Sequence, residues 1–348
     1  MIDTIVSLDF PVEEKFRIRK HRILPEGYSG QDDLSGLKRI SIVTGTHGDE
    51  LEGQYVCYEV SRRLLAHRDL LRGIVDVYPA LNPLGIDSIE RGVPGFDLDM
   101  NRIFPGSEYG SMIEHAAARI VRDLSGSDMV IDIHASNLYL TEIPQVRISE
   151  LFADQLVPFA EKLNMDLIWV HGASTVLEAT LAHSLNSIGT PTLVVEMGIG
   201  LRLTQAYGNQ LTEGLFSLMH HMGIWAGEHI TPRTPLFSSR QEDVEYLNAP
   251  VSGVFIQHLE HNSYVQAGQV IGEIVDPLLG ESLREIKAPC DGVIFTLRDF
   301  PMVDEGSLLG RMLRAETIRP EKLLLYRSRG ARPVSSLDLA KFRGGEQA

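Results

Sequence analysis

The stretch Gly45-Thr46-His47-Gly48-Asp49-Glu50-Leu51-Glu52-Gly53 separates two segments of different periodicity. Before it, residues 40–43 form a short apolar run rich in β-branched side chains, which predicts a buried strand. After it, apolar residues recur at helical spacing from Tyr55 to Leu65, which predicts a helix. His47 and Glu50 therefore fall on a tight turn between a strand end and a helix start. Sites in open α/β sheets commonly lie at such turns.

An imidazole and a carboxylate three residues apart can both reach one divalent ion, and two histidines with one glutamate form a known catalytic zinc set. A third ligand is available because the run Ile131-Asp132-Ile133 ends in His134. The sequence thus favours a zinc site built from His47, Glu50 and His134. The alternative is two solvated turn residues and an unrelated histidine at a strand end, and the spacing alone does not separate the two interpretations.

Zinc-dependent hydrolysis also needs a general base, a cation near the developing oxyanion and groups that hold the substrate. Glu196 ends the apolar strand Thr192–Glu196, a position that suits a general base. A solvated glutamate that opens a loop is the alternative from position alone. Asp132 lies on the same strand face as His134, where it can orient a neighbouring imidazole or arginine.

The polar loop from Leu84 to Gly106 supplies candidate substrate contacts. Asn101 and Arg102 are adjacent, and their donors suit a carboxylate. Arg91, earlier in the loop, is a candidate to polarise the substrate carbonyl. Arg147, on a strand predicted near residues 144–148, is a further candidate cation.

Composition narrows the class of protein. The length of 348 residues favours two domains, and the net charge of −15 argues against nucleic-acid binding, which needs a basic face. Cys57 and Cys290 lack metal-type spacing and are expected to be free thiols. The N-terminus does not resemble a signal peptide, and no apolar run approaches the roughly 18 residues of a membrane span. We therefore expect a cytoplasmic enzyme or binding protein with no membrane partner.

The chain changes character twice. Residues 1–36 alternate apolar and charged side chains, which predicts an N-terminal β segment of antiparallel strands. Residues 37–235 alternate predicted strands and helices, which indicates a largely parallel sheet covered on both faces. Residues 236–348 have shorter strands and frequent glycines, which predicts a small C-terminal all-β domain.

The C-terminal part contains an internal repeat. The segment Ala249–Val254 matches Ala288–Val293, and Val265–Gly268 matches Val303–Gly306. Two such units look like the halves of a biotinyl/lipoyl-type barrel-sandwich module. Because the connecting stretch Asp276–Arg284 contains no lysine for a prosthetic group, a cap or assembly role is favoured over a carrier role.

The motifs HGDE, DMNRIFPG, DIH and VEMG, in that order, resemble the succinylglutamate desuccinylase/aspartoacylase family, a branch of the zinc-carboxypeptidase-like hydrolases. The resemblance runs from about Leu37 to His221. It implies a carboxypeptidase-like α/β catalytic domain with a mixed sheet flanked by helices, and the C-terminal half-repeats resemble the β domain appended in bacterial members.

The resemblance also implies roles for individual residues, beginning with one Zn²⁺ per chain held by His47, Glu50 and His134. Glu196 would act on the zinc-bound water, and Arg91 would take the role of polarising the carbonyl. Asn101 and Arg102 would bind the α-carboxylate of the substrate.

The family's further substrate-side arginine has no counterpart, since residues 186–191 contain no arginine, and Arg147 or Arg202 would have to substitute. We therefore expect a small or neutral acyl group on an amino acid or diamino acid, similar to the substrates of the deacetylases of ectoine breakdown. Two rival functions are a zinc carboxypeptidase acting on peptides and a catalytically inactive binding protein of the same fold. The sequence allows a homo-oligomer.

Overall fold

The structure, a computed structural model, describes residues 1–172 and 177–334. The chain divides into two units, one made of Met1–Leu138 and Pro144–Ser239 and the other of Tyr139–Ile143 and the chain from Arg240 onward. The candidate site residues named above all belong to the first unit.

The first unit is organised by a large mixed sheet, in the spatial order β1-β2-β4-β3-β5-β8-β6-β7-β9. Its strands are β1 (Ile2–Asp9), β2 (Lys15–Ile23), β3 (Arg39–Thr44), β4 (Ile74–Tyr78), β5 (Met129–Ala135), β6 (Leu140–Ser149, whose first four residues belong to the second unit), β7 (Leu167–His171), β8 (Thr192–Gly198) and β9 (Leu236–Ser238). The central neighbours β4-β3, β3-β5 and β5-β8 are parallel, whereas β1-β2 and β2-β4 are antiparallel.

Helices cover both faces of this sheet. They are α1 (Glu52–Ala66), α2 (Pro83–Ser88), α3 (Met112–Leu124), α4 (Ala153–Ala160), α5 (Leu181–Ser187) and α6 (Gln205–His221). Successive strand residues point to opposite faces, so Ile42 of β3 packs in one apolar cluster with α1 and α6. Val43 packs in another with α3 and α5. The mixed α/β fold expected for this part of the chain is confirmed.

Local sequence signals explain where several helices begin and end. Helix α3 begins with a capping box: Ser111 Oγ accepts from Glu114 N (3.4 Å), and Glu114 Oε2 accepts from Ser111 N (2.7 Å). Helix α4 contains Pro158 and ends two residues later at Ala160. Thr180 is the N-cap of α5, and its side chain accepts from the amide of His183 (3.3 Å).

The second unit contains two sheets. Its strands are β10 (Val244–Asn248), β11 (Gly253–Gln257), β12 (Ser263–Val265), β13 (Val270–Asp276), β14 (Glu281–Lys287), β15 (Gly292–Arg298), β16 (Met302–Val303) and β17 (Leu308–Arg314). One sheet has the order β14-β13-β11-β16, and in the other β15 pairs with β12, β17 and the start of β6. The two copies of the repeat begin β11 and β15 at Gly253 and Gly292.

The expectation that the C-terminal region is all-β is wrong in one respect. Helix α7 (Pro320–Arg329) follows the strands, with Pro320 in its first turn and Gly330 after its last residue. Proline at the start and glycine after the end are both typical helix-boundary signals. Within the described residues, no helix is long and apolar enough to cross a lipid bilayer.

Candidate metal centre and active site

The candidate site lies where three neighbouring parallel strands end. In the register of the sheet, Thr44 of β3 is opposite Ile133 of β5, and His134 is opposite Glu196 of β8. Because parallel strands end at the same edge of a sheet, the turn after β3, His134 and Glu196 share that edge. The strand order thus brings together motifs that are far apart along the chain.

Glycines allow the turn after β3 to pack tightly. Gly45 has φ +70°, a conformation that side chains other than glycine rarely adopt. A Cβ on Gly48 would lie 1.9 Å from the carbonyl carbon of Gly85 in α2. The amide of Gly48 also donates to the carbonyl of Glu90 (3.1 Å). The turn is therefore fixed against α2 and the loop that follows it.

Glu50 lies between the two histidines predicted as its co-ligands. Its Oε1 is 2.8 Å from His47 Nδ1, and its Oε2 is 2.9 Å from His134 Nδ1. One potential ligand atom from each residue lies within 4.8 Å of the other two, and all three residues are buried. The sequence-predicted trio therefore converges on one point.

Each histidine carries a carboxylate on its other ring nitrogen. His47 Nε2 lies 3.1 Å from Asp99 Oδ1, and His134 Nε2 lies 3.2 Å from Asp132 Oδ2. Such carboxylates commonly fix the orientation of metal-binding imidazoles and make them more basic. Asp132, expected to orient a neighbouring imidazole or arginine, lies beside His134.

The electrostatics of the cluster follow from burial and close opposite charges. Burial alone would lower the pKa of His47, but Asp99 and Glu50 outweigh it and raise that pKa. Burial likewise opposes the charged form of His134, yet Asp132 and Glu50 raise its pKa well above the usual value. Burial favours the neutral form of Glu50, and the nearby histidines nevertheless hold its pKa well below the usual range.

The donor set fits a zinc ion. Two imidazole nitrogens and a carboxylate are ligands that Zn²⁺ prefers, and three protein ligands are typical of catalytic zinc sites, which keep a further position for water. Within the described residues, His47 Nδ1 is buried and has no hydrogen-bond partner of acceptable geometry, although Glu50 is 2.8 Å away. A buried nitrogen without a hydrogen-bond partner is a candidate to bind a metal ion.

The loop candidates differ in their proximity to this centre. Arg91 contacts it directly, with Nη1 2.9 Å from Glu50 Oε1 and Nη2 3.3 Å from Asp99 Oδ2. Asn101 is buried, and its Oδ1 accepts from the amide of Leu181 (2.9 Å), so its Nδ2 is the end available for a substrate oxygen. Arg102 is exposed, and its Nη1 donates to the carbonyl of Asn101 (2.8 Å).

Arg147 lies beside the candidate base. Its Nη1 is 3.5 Å from Glu196 Oε1, and its guanidinium lies over the ring of Trp169, 5.4 Å from the ring centroid. This position makes Arg147 a neighbour of Glu196 as well as a candidate substrate contact. Arg202, the other arginine considered from sequence, is exposed.

Two acidic residues were missed by the sequence reasoning. Asp99 lies in the DMNR motif, two residues before Asn101. An aspartate side chain commonly accepts a hydrogen bond from the backbone amide two residues further along the chain. Here Asp99 Oδ1 accepts from Asn101 N (2.8 Å) and also contacts His47. Glu52, which begins α1, is fully buried, and nothing in its sequence context indicated this burial.

A cavity of about 710 Å³ adjoins the ligand cluster. Its charged lining consists of one cation, Arg91, and three acids, Glu90, Asp97 and Asp99. Arg91 and Asp99 are the two lining residues that contact the ligand cluster. The described lining residues include neither the three candidate ligands nor Glu196, so the cavity lies beside the ligand cluster and not around it.

Residues 36–222 match the Succinylglutamate desuccinylase/Aspartoacylase catalytic domain. The chain is 28% identical, over 74% of its length and 76% of the relative's, to the N-alpha-acetyl-L-2,4-diaminobutyric acid deacetylase of Halomonas elongata. Two similar solved structures are a succinylglutamate desuccinylase/aspartoacylase from Rhodobacter sphaeroides (TM-score 0.73, 20% identity) and the product-bound Ectoine utilization protein EutE (DoeB) from Ruegeria pomeroyi (TM-score 0.74, 17% identity). Each alignment covers 90% of this chain and 95% of the other.

Proposed function

Because the chain belongs to the succinylglutamate desuccinylase/aspartoacylase family, we propose that it is a zinc-dependent hydrolase that removes the acyl group from an N-acylated amino acid. The observation that carries this proposal is the buried trio of His47, Glu50 and His134, with Glu196 in register beside His134 on the next strand. A zinc ion held by the trio would supply Lewis acidity at the substrate carbonyl and at a water molecule.

The protein groups then have separate tasks. The carboxylate of Glu196 accepts the proton of the attacking water and passes it to the nitrogen of the leaving amine. Arg91 would provide a positive charge where the carbonyl oxygen becomes negative, and its contacts with Glu50 and Asp99 beside the ligand cluster support this role. Asn101 and Arg102 hold the α-carboxylate of the substrate, since their donors come from adjacent residues.

The acidic lining of the cavity supports a particular substrate class. Glu90 and Asp97 line the cavity together with Arg91 and Asp99, and a succinyl or other dicarboxylic acyl group that entered it would meet their negative charge. A substrate with a second amino group would instead be attracted. This charge pattern and the Halomonas relative both favour an N-acetylated diamino acid.

A turnover screen on the zinc-loaded protein tests the proposal. We expect release of acetate from N-acetyl-2,4-diaminobutyrate, with kcat/KM well above that for N-succinyl-glutamate and for dipeptides. Glu196→Gln is the matched control for contaminating hydrolases. Preferential cleavage of dipeptides would establish the carboxypeptidase alternative, and zinc binding without turnover of any compound would establish an inactive binding protein.

We further propose that the chemistry is confined to residues 37–235, with residues 1–36 as a supporting β segment and residues 236–348 as a barrel-sandwich-like module without a carrier role. The likeness to a barrel-sandwich is supported by β11 and β15, which start at equivalent glycines of the repeat. The absence of a carrier role is supported by Lys287, which lies at the end of β14 and pairs with Glu285 (2.9 Å). Mass spectrometry of protein purified from its native host would reveal any lipoyl or biotinyl group, which would contradict the proposal.

Cell fractionation would test the cytoplasmic location, and light scattering would test for a homo-oligomer.

A further inference from the structure

Glu52 is a buried carboxylate that the mechanism above does not use. It is the first residue of α1, two positions after Glu50, and its exposure is 0%. Both of its oxygens lie within hydrogen-bond distance of one donor, the amide of Thr204 (2.9 and 2.8 Å). Burying a carboxylate is unfavourable, so a fully buried one with one such donor calls for a reason beyond stability.

The same carboxylate fills the space beside Gly198, which lies two residues after Glu196. A Cβ on Gly198 would be only 2.0 Å from Glu52 Oε1, and the backbone there has φ +68°. The backbone conformation thus favours glycine at residue 198, and a Cβ there would displace the carboxylate of Glu52.

A second hydrogen bond joins the same two segments. The amide of Leu201 donates to the carbonyl of Asp49 (2.7 Å). Residues 198–204, which follow the candidate base, are therefore attached at two points to residues 49–52, which contain the candidate ligand Glu50.

A role in stabilising its own helix does not account for Glu52. A first-turn glutamate is favourable near a helix N-terminus, but this effect is available to an exposed side chain. Here the side chain bonds the amide of Thr204, which is 152 residues away, and Leu51 at the N-cap makes no side-chain capping bond.

We propose that Glu52 is a positioning residue for Glu196: it fixes the segment after β8 to the start of α1, and so sets the distance between the base and the ligand turn. This inference rests on the proposed hydrolase function. A base that shifts by about 1 Å can cost roughly 100-fold in rate, so a contact of this kind affects kcat without touching the substrate.

Steady-state kinetics of Glu52→Ala and Glu52→Gln test the proposal. For Glu52→Ala we expect kcat to fall by roughly 10- to 100-fold, with KM almost unchanged and a full complement of bound zinc. Glu52→Gln should keep most of the activity, because its carbonyl oxygen can still accept from Thr204. Glu59→Ala is the control, since Glu59 lies further along α1 and pairs with Arg62 (2.6 Å).

A wild-type kcat in folded, zinc-loaded Glu52→Ala would overturn the proposal. A loss of kcat in Glu52→Gln equal to that in Glu52→Ala would also overturn it, because the negative charge and not the hydrogen bond would then be essential. If the wild type hydrolyses none of the acylated amino acids, the proposed function fails first, and the assignment to Glu196 fails with it.

A thermal-stability cycle tests the contact itself without any activity measurement. Gly198→Ala should lower Tm, and Glu52→Ala should remove the clash with the new methyl group. The Tm of the double variant should therefore lie above the value expected from adding the two single changes. Additive changes would show that Glu52 and Gly198 are not in contact, which would overturn the positioning role whatever the kinetics.

Discussion

His134 of β5 and Glu196 of β8 are register partners on neighbouring parallel strands. A candidate metal ligand and the candidate base therefore lie side by side at the same sheet edge, although β6, α4, β7 and α5 all lie between them along the chain. Backbone hydrogen bonds of the sheet fix the main chain of these two residues relative to each other. This arrangement suits a reaction that requires a fixed distance between metal and base.

Replacing Glu196 with glutamine should abolish proton transfer and leave the metal in place. We expect kcat to fall by roughly 100- to 10,000-fold, the usual contribution of a general base, with one zinc per chain retained. Metal analysis and kinetics on the same preparation measure both quantities. The exposed Glu161→Gln serves as the control, and activity close to wild type in Glu196→Gln would remove Glu196 from its role.

The carboxylates behind the histidines should tune metal affinity. Asp132→Asn and Asp99→Asn each remove a charge next to an imidazole, and we expect zinc to bind roughly 10- to 100-fold more weakly. Competition with a chromogenic chelator gives the two dissociation constants. Asp154→Asn, at an exposed position, is the matched control. Equal zinc affinity in the wild type and in all three variants would contradict the contacts of Asp132 and Asp99 with the histidines.

Zinc affinity should decrease as the pH is lowered. Metal binding requires neutral imidazoles, and the pKa values of His47 and His134 in the metal-free protein are raised above the usual 6.5. Protons therefore compete with zinc at a higher pH than for ordinary histidines. Calorimetric titrations in buffers of different ionisation enthalpy should detect proton release near pH 7, and binding with no proton release there would refute this prediction.

The two free thiols should differ in reactivity. Burial raises the pKa of Cys57 to about 12, and the side chain is almost inaccessible, whereas Cys290 is partly exposed. A thiol reagent at pH 8 should therefore label one cysteine in the native protein and two after denaturation. Cys290→Ser should lose the native signal, and fast labelling of Cys57 in the folded protein would contradict the packing of α1.

Asp76 should be important for stability because it is fully buried among cations. Arg22 donates to both of its oxygens (2.8 and 2.6 Å), and Lys20, itself 4% exposed, lies 3.4 Å away. Asp76→Asn removes the carboxylate that pairs with Arg22, whereas Lys20 keeps its pair with Asp123 (2.8 Å), so we expect a loss of roughly 3–5 kcal/mol in urea unfolding. Asp9→Asn, which breaks the exposed pair with Lys15, should change stability by at most about 1 kcal/mol.

The sequence predicted the parts of the molecule that depend on local pattern. The period of apolar residues located the central strands. The trio of His47, Glu50 and His134 could be predicted because His47 and Glu50 lie in the turn after β3 and His134 lies next to the end of β5. Parallel strand ends meet at one edge whatever the details of packing.

Contacts made by loops and by buried side chains could not be predicted in this way. Arg91 meets Glu50 across 41 residues only because the chain after α2 turns back over the ligand turn. The burial of Glu52 depends on the path of residues 198–204, which no periodicity encodes. Helix α7 has recognisable boundary signals at Pro320 and Gly330, but the repeat before it predicts only strands for that region.

The order of the central strands has a consequence for a chain that is still being synthesised. All three residues proposed to hold the ion precede β6, whereas the proposed proton acceptor is made only with β8. If the proposed function holds, a chain synthesised only as far as β6 contains the proposed ligands and lacks the proposed proton acceptor. Insertion of β8 next to β5 would then complete the proposed catalytic set.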